Sequence, residues 1–270
     1  MLEIKQLPNS LSVFIKSLKK SKFRKEENLF LTEGKKLCAE LFSSNFKTKF
    51  VVINKDEIDA EIEILINNFH KKNIQIYETK NSIFENLCDA ISPQGIIAVA
   101  EQKKSQIISN TSFIALDNIS DPGNVGTIIR TAEWFGIKQI VLVGNCANPY
   151  SPKVVRSSMG SIFRMNFIYC ENTVDIFREN FNQIDIFAAS LDANFDLKEI
   201  VASKEFGLIV GNETRGISSF FDKIITKKFL IKGFGKAESL NVAVATGVSL
   251  FQLRIKNYFL FFLTFLTIFI

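Results

Sequence analysis

The chain holds one histidine, His70, among 270 residues. Ser-His-Asp hydrolysis, histidine-rich metal centres and imidazole relays would all have to rest on that side chain. His70 stands beside Lys71 and Lys72, just past an apolar stripe, which is the place of a surface residue at a helix end. Cysteine is nearly as scarce: Cys38, Cys88, Cys146 and Cys170 form no Cys-x-x-Cys pair, which excludes a disulfide framework. The opening Met-Leu-Glu-Ile-Lys lacks the apolar core of a signal peptide, so a cytoplasmic protein is expected. Neither Gly-x-x-x-x-Gly-Lys-Ser/Thr nor Gly-x-Gly-x-x-Gly occurs, which leaves ATP and NAD poorly supported as ligands. No metal site is expected. With 47% hydrophobic and 23% charged residues, 13 glycines and 5 prolines, the balance is that of a folded protein and not of a disordered or collagen-like chain.

Positive charge is concentrated at the beginning. Residues 1–49 carry eleven Lys or Arg against five Asp or Glu, whereas the rest is almost neutral. The centre of the excess is Lys16, Lys19, Lys20, Lys22, Arg24 and Lys25, a cluster whose field would attract a polyanion and hold it through phosphate contacts. The plainer reading is a solvated helix face.

From Lys49 to Ala100 strand-like and helix-like stretches alternate. Phe50–Ile53, Ile74–Tyr77 and Ile96–Val99 read as strands, and Ile58, Ile62, Leu65, Ile66 and Phe69 form the stripe of an amphipathic helix. The polar stretch Glu101–Thr111 reads as a linker, dividing the chain into domains of residues 1–105 and 106–270. Beyond it, Phe113–Leu116, Gln139–Val143, Ile186–Ala189 and Gly207–Val210 are β-prone runs separated by helical patterns at Val125–Phe135 and Thr173–Phe181. That alternation predicts an α/β fold with a parallel sheet.

Ligands of open parallel sheets sit beyond the carboxyl ends of the strands. Three strand-end loops here join small residues to amide and charge. The first is Asp117 to Gly126, feeding a helix that carries Arg130. The second is Gly211-Asn212-Glu213-Thr214-Arg215-Gly216. The third follows Phe229–Ile231 and leads through Gly233–Ala237 to Glu238-Ser239-Leu240-Asn241-Val242. Singly, each has a structural reading: Pro122-Gly123 as a turn, Ser239 or Asn241 at a helix start, Gly211 and Gly216 as relief of backbone crowding.

In order and spacing the three loops resemble the SpoU/TrmH family of RNA ribose 2′-O-methyltransferases within the SPOUT superfamily. The resemblance is carried by Asn124-x-Gly126 with Arg130-Thr131-Ala132, by Gly211-Asn212-Glu213 with Arg215-Gly216, and by Ser239-Leu240-Asn241-Val242 running into Ala245-Thr246-Gly247. It covers residues 112–255, and the basic leading part resembles the small α/β RNA-binding domain that often precedes this catalytic domain. It implies a deep trefoil knot in the C-terminal part of the sheet, S-adenosylmethionine bound at the knot, and a homodimer whose site draws on both subunits. By motif position it implies cofactor contacts by Gly211, Ile231 and Leu240, largely through backbone, with Asn124, Arg130, Glu213, Ser239 and Asn241 around the ribose. Arg130 is then either a phosphate clamp that also stabilises a developing alkoxide or the group that removes the proton. The substrate implied is structured RNA, ribosomal in preference to transfer RNA. The rivals are a non-catalytic RNA-binding assembly factor and a methyltransferase acting on base nitrogen.

Two stretches depart from the family pattern. Where the family usually has Ile-Pro-Met, this chain has Ile231-Lys232-Gly233-Phe234, without the stiffening proline. The apolar end, Tyr258–Ile270, is shorter than the ~20 residues that span a bilayer, and Arg254 and Lys256 interrupt any upstream extension. It is expected to form a terminal helix buried at the dimer interface, with attachment to a membrane surface as the alternative and no stable insertion.

Overall fold

The computed structural model describes residues 3–104, 106–171, 174–212 and 214–268, with side chains described as far as Ile255. In chain order, β1 (Lys5–Gln6), α1 (Asn9–Ser17), α2 (Ser21–Glu27), β2 (Leu29–Glu33), α3 (Lys35–Ser43), β3 (Thr48–Asn54), α4 (Ala60–Lys71), β4 (Gln75–Thr79), α5 (Asn81–Leu87) and β5 (Ile96–Glu101) come first. They are followed by β6 (Phe113–Asp117), α6 (Pro122–Trp134), β7 (Gln139–Val143), α7 (Pro152–Ser157), β8 (Asn166–Cys170), α8 (Asp175–Asn180), β9 (Asp185–Ala189), β10 (Phe195–Asp196), β11 (Phe206–Gly211), β12 (Lys227–Leu230) and α9 (Val242–Ile268).

The chain divides into two compact units, residues 1–104 with 148–164, and residues 105–147 with 165–270. In the first unit the sheet order is β1-β4-β3-β5-β2, parallel from β1 to β3 and antiparallel at β5 and β2. The apolar stripe of α4 buries Ile62, Leu65, Ile66 and Phe69, and Asp59 caps its start by accepting from the Ile62 amide at 3.0 Å, one of the first-turn N–H groups that a helix cannot pair internally. Ile58 stays exposed ahead of the helix. His70 lies in its last turn.

The segment 148–164 lies in sequence between β7 and β8 yet packs with the first unit. Tyr150 and Phe163 close on Phe30, with ring centroids 4.9 and 6.4 Å away, and Phe163 also meets Phe46 at 5.4 Å. Arg156 of α7 pairs with Asp89 at 2.6 Å and reaches the buried carboxylate of Glu33 at 3.7 Å. A single cut near residue 106 therefore does not describe the packing of this segment.

The second unit holds a seven-stranded sheet, all parallel, in the order β10-β12-β9-β11-β6-β7-β8. Every residue of β6 and of β7 is buried, as expected of strands covered on both faces, and this is why they read as unbroken apolar runs. From β6 the chain moves outward to β7 and β8 on one side. The later strands all lie on the other, so the order reverses between β6 and β11. This is the topological switch point at which an open parallel sheet leaves a crevice beyond its strand ends. Among the described residues no helix is long and apolar enough to cross a membrane. The backbone of α9 continues as helix through Ile268, while the side chains of the apolar end expected at a dimer interface lie outside the described residues.

Candidate functional site

The first and second sequence loops leave the sheet side by side at the switch point. Asp117, the last residue of β6, pairs in register with Gly211, the last of β11. The Asp117 carboxylate is fully buried. Its Oδ2 accepts from the Ser218 amide at 2.6 Å, and its Oδ1 accepts from the Ser218 hydroxyl at 3.1 Å and from Asn118 Nδ2 at 2.7 Å. These bonds fasten the 211–218 loop to the neighbouring strand. Asn118 has the left-handed φ of 55°, a conformation that asparagine tolerates better than most residues. Its carbonyl accepts from Asn212 Nδ2 at 3.2 Å, and its Oδ1 accepts from the Asn145 amide at 2.9 Å.

Asn212 also folds its own loop. Its Oδ1 accepts from the Thr214 and Arg215 amides at 3.0 and 3.2 Å, and its carbonyl accepts from the Gly216 amide at 2.8 Å. The hairpin closes so tightly that a Cβ on Gly211 would lie 2.3 Å from the Gly216 carbonyl oxygen. Only glycine fits there. Glu213, expected beside the ribose, lies outside the described residues.

The third loop returns to the first. Asn241 caps α9, its Oδ1 accepting from the Ala243 and Val244 amides at 3.0 and 3.4 Å, while its Nδ2 donates to Asn124 Oδ1 at 2.9 Å. Asn124 belongs to the first turn of α6, which is capped by Asp121 accepting from the Asn124 amide at 2.8 Å and carries Pro122 at its start. Both features suit a helix beginning. Asn241 thus does two jobs at once: the helix-start role and a bridge between the first and third motifs. Farther along, Arg254 Nε donates to the Phe135 carbonyl at 3.1 Å and its NH1 to the Lys204 carbonyl at 2.8 Å, fixing α9 beside α6.

Arg130 lies six residues beyond Asn124 on α6. At helical geometry that is about 9 Å along the axis and about 120° around it. Arg130 is exposed and makes no hydrogen bond or ion pair among the described residues, so within one chain it is not brought to the Asn124–Asn241 bond. Ser239 and Leu240 are exposed on the third loop, and Ile231 is half-buried where that loop leaves β12. From Lys232 through Leu240 no backbone group bonds to another residue among the described residues. Together with Gly211 this leaves a run of peptide donors and acceptors at the crevice, which fits a ligand held largely through backbone, as expected for S-adenosylmethionine. The second unit contains no histidine. Burial raises the Cys146 thiol above its ordinary pKa, and its Sγ is turned to the Leu116 and Val143 carbonyls at 3.2 and 3.3 Å. No cluster of potential metal ligands occurs among the described residues.

The basic cluster separates into two groups. Arg24 is 3% exposed, and its NH1 donates to the Leu18 and Lys19 carbonyls at 3.0 and 2.7 Å, which closes the end of α1. Lys19 donates to the Asn86 and Cys88 carbonyls at 3.2 and 2.6 Å. The Arg24 guanidinium is thus buried against carbonyls of its own unit, whereas the cluster was expected to hold phosphate from the surface. Lys16, Lys20, Lys22 and Lys25 are exposed.

Asp117, Asn118 and Ser218 carry no role in the sequence-based expectations, and Asn212 enters them only as a letter of the second motif. The available signal was an Asp-Asn pair directly after a fully apolar strand.

A family model described as the SpoU rRNA methylase family matches residues 111–251, and one described as an MRM3-like substrate binding domain matches residues 13–98. The chain is 29% identical over 256 residues to the 23S rRNA (guanosine(2553)-2′-O)-methyltransferase RlmP of Bacillus subtilis, covering 93% of this chain and all of that protein. Among solved structures, one described as an RNA methyltransferase of the TrmH family from Porphyromonas gingivalis is 32% identical with a TM-score of 0.81, covering 93% of this chain and 99% of its own. An AdoMet-bound rRNA methyltransferase from Sinorhizobium meliloti is 28% identical with the same TM-score, covering 93% and 96%.

Proposed function

Because the chain belongs to the SpoU rRNA methylase family, we propose that it transfers the methyl group of S-adenosylmethionine to a ribose 2′-hydroxyl of ribosomal RNA. The observation that carries this reading is the meeting of three separated loops at the switch point, through the Asp117–Gly211 register and the Asn241–Asn124 bond. When bound, the cofactor supplies a methyl carbon made electrophilic by the adjoining sulfonium. The peptide groups of Gly211, Ile231 and Leu240 hold it. Asn124, Ser239 and Asn241 supply neutral donors and acceptors suited to orienting a sugar, and Glu213 orients Arg130 or accepts from the ribose.

A free guanidinium stays protonated up to pH ~12, so Arg130 serves best as a clamp on substrate phosphate that also stabilises the alkoxide as the hydroxyl loses its proton. Its place on α6, turned away from Asn124, supports a homodimer in which each site receives Arg130 of the partner subunit. The exposed side chains Val244, Val248, Phe251 and Ile255 support the same assembly, since they recur along one face of α9 as an interface stripe would. The reading also carries the trefoil knot, with the third loop and α9 threaded at the cofactor site, and a cytoplasmic setting suited to four free cysteines.

Lys16, Lys20, Lys22 and Lys25 hold RNA phosphate in this account. Changing Lys20, Lys22 and Lys25 together to glutamine is expected to weaken binding and to reduce the slope of log affinity against log salt by roughly one unit per lost contact. An unchanged slope in filter binding would remove the patch from the interface. The function is tested by mass mapping of ribosomal RNA from cells with and without the gene. One nucleotide should lose its 2′-O-methyl mark, and identical maps would refute the proposal.

A further inference from the structure

The third loop starts at the end of β12 and finishes at Asn241, which is bonded to Asn124 just after β6. In sheet order β12, β9, β11 and β6 follow one another. The loop therefore crosses three strand spacings, about 14 Å at ~4.8 Å each, over the carboxyl ends that form the crevice. Within this loop Phe234 is 95% exposed, more so than even Trp134 at 84%. It lies between Gly233 and Gly235, around which a Cβ would meet nothing within 4 Å. Lys232 and Lys236 flank them, both exposed and without an ion pair among the described residues. A lone exposed apolar side chain is ordinary. A phenyl ring between two glycines in open space and two uncommitted cations, on a loop that joins strand ends on either side of the switch point, is a different arrangement.

Single-stranded nucleic acid is gripped by this combination, with aromatic faces stacking on bases and cations following the backbone. We propose that Phe234 stacks on an unpaired base next to the methylated nucleotide, while Lys232 and Lys236 hold the adjoining phosphates. The loop that holds the cofactor on its inner side then reads substrate on its outer side. The nucleotide class it selects is one whose neighbour is unpaired, in a loop or bulge of the RNA. The inference rests on the ribosomal RNA reading above.

The test uses the full-length protein, labelled S-adenosylmethionine, and total ribosomal RNA from cells lacking the gene. Phe234→Ala should raise the KM for RNA about tenfold or more, with the Kd for S-adenosylmethionine unchanged within about twofold. Phe234→Tyr should restore the KM, and Phe234→Leu should not, because leucine offers no planar face. An RNA KM unmoved in the alanine variant, an equal loss of cofactor affinity, or rescue by leucine as good as by tyrosine would overturn the inference while leaving the reading beneath it intact. If the wild-type protein labels no RNA, that reading fails and this inference falls with it.

Discussion

Arg130→Ala is expected to lower the rate of methyl transfer by about 10²–10³ while leaving cofactor binding and thermal stability almost unchanged. The stability half follows from the surroundings: the side chain is exposed and has no partner among the described residues, and surface changes of that kind stay within about 0.5 kcal/mol. The catalytic half follows from its task. A preorganised donor aimed at charge that develops only in the transition state is worth about that factor when removed. Single-turnover transfer with saturating cofactor measures the rate, and calorimetry measures the cofactor. Arg130→Lys keeps the charge but loses the bidentate fork. As a phosphate clamp it should be slowed with the shape of its pH–rate profile kept, whereas proton removal by Arg130 would displace the profile. A near-normal rate with an unchanged profile in the lysine variant would count against both roles.

Asp117→Ala is expected to cost about 3–5 kcal/mol of stability and, with it, cofactor binding. Three donors converge on this buried carboxylate. Removing it leaves the Ser218 amide, the Ser218 hydroxyl and the Asn118 amide without their acceptor, at about 1–3 kcal/mol for each donor left unsatisfied. Partial entry of water keeps the total below the sum. Asp117→Asn should cost less, since one acceptor survives, but its NH₂ group faces another donor. Denaturant unfolding gives the first quantity and titration with S-adenosylmethionine the second. A stable Asp117→Ala protein with normal cofactor affinity would show that the β6–β11 junction does not organise the site.

Much of the second unit could be read directly. Its central strands are buried on both faces, so β6, β7, β9 and β11 appear in the sequence as apolar runs of strand length, and glycine, asparagine and charge mark where they stop. The edge strand β8, Asn166–Cys170, opens on asparagine and leaves Tyr169 exposed, and it does not stand out. The packing of residues 148–164 is illegible for a different reason: it depends on Tyr150 and Phe163 meeting Phe30 and Phe46, and such long-range contacts leave no periodic mark. Arg24 shows the limit of counting charge. In the sequence it is one more cation in a basic cluster, yet the chain folds it inward against carbonyls that need a donor. Asn241 shows the reverse, since a residue legible as a helix start also joins two motifs. Asp117 reads as the first letter of a turn, because a buried acceptor is recognised by its donors, and two of these come from a residue 101 positions away.

The most direct measurement is to incubate the purified protein with methyl-labelled S-adenosylmethionine and ribosomal RNA from cells lacking the gene, then digest the RNA to nucleosides and separate them. The account predicts label in a single 2′-O-methylated nucleoside, lost with Arg130→Ala. Label in a base-methylated nucleoside, or none in the RNA at all, would contradict it.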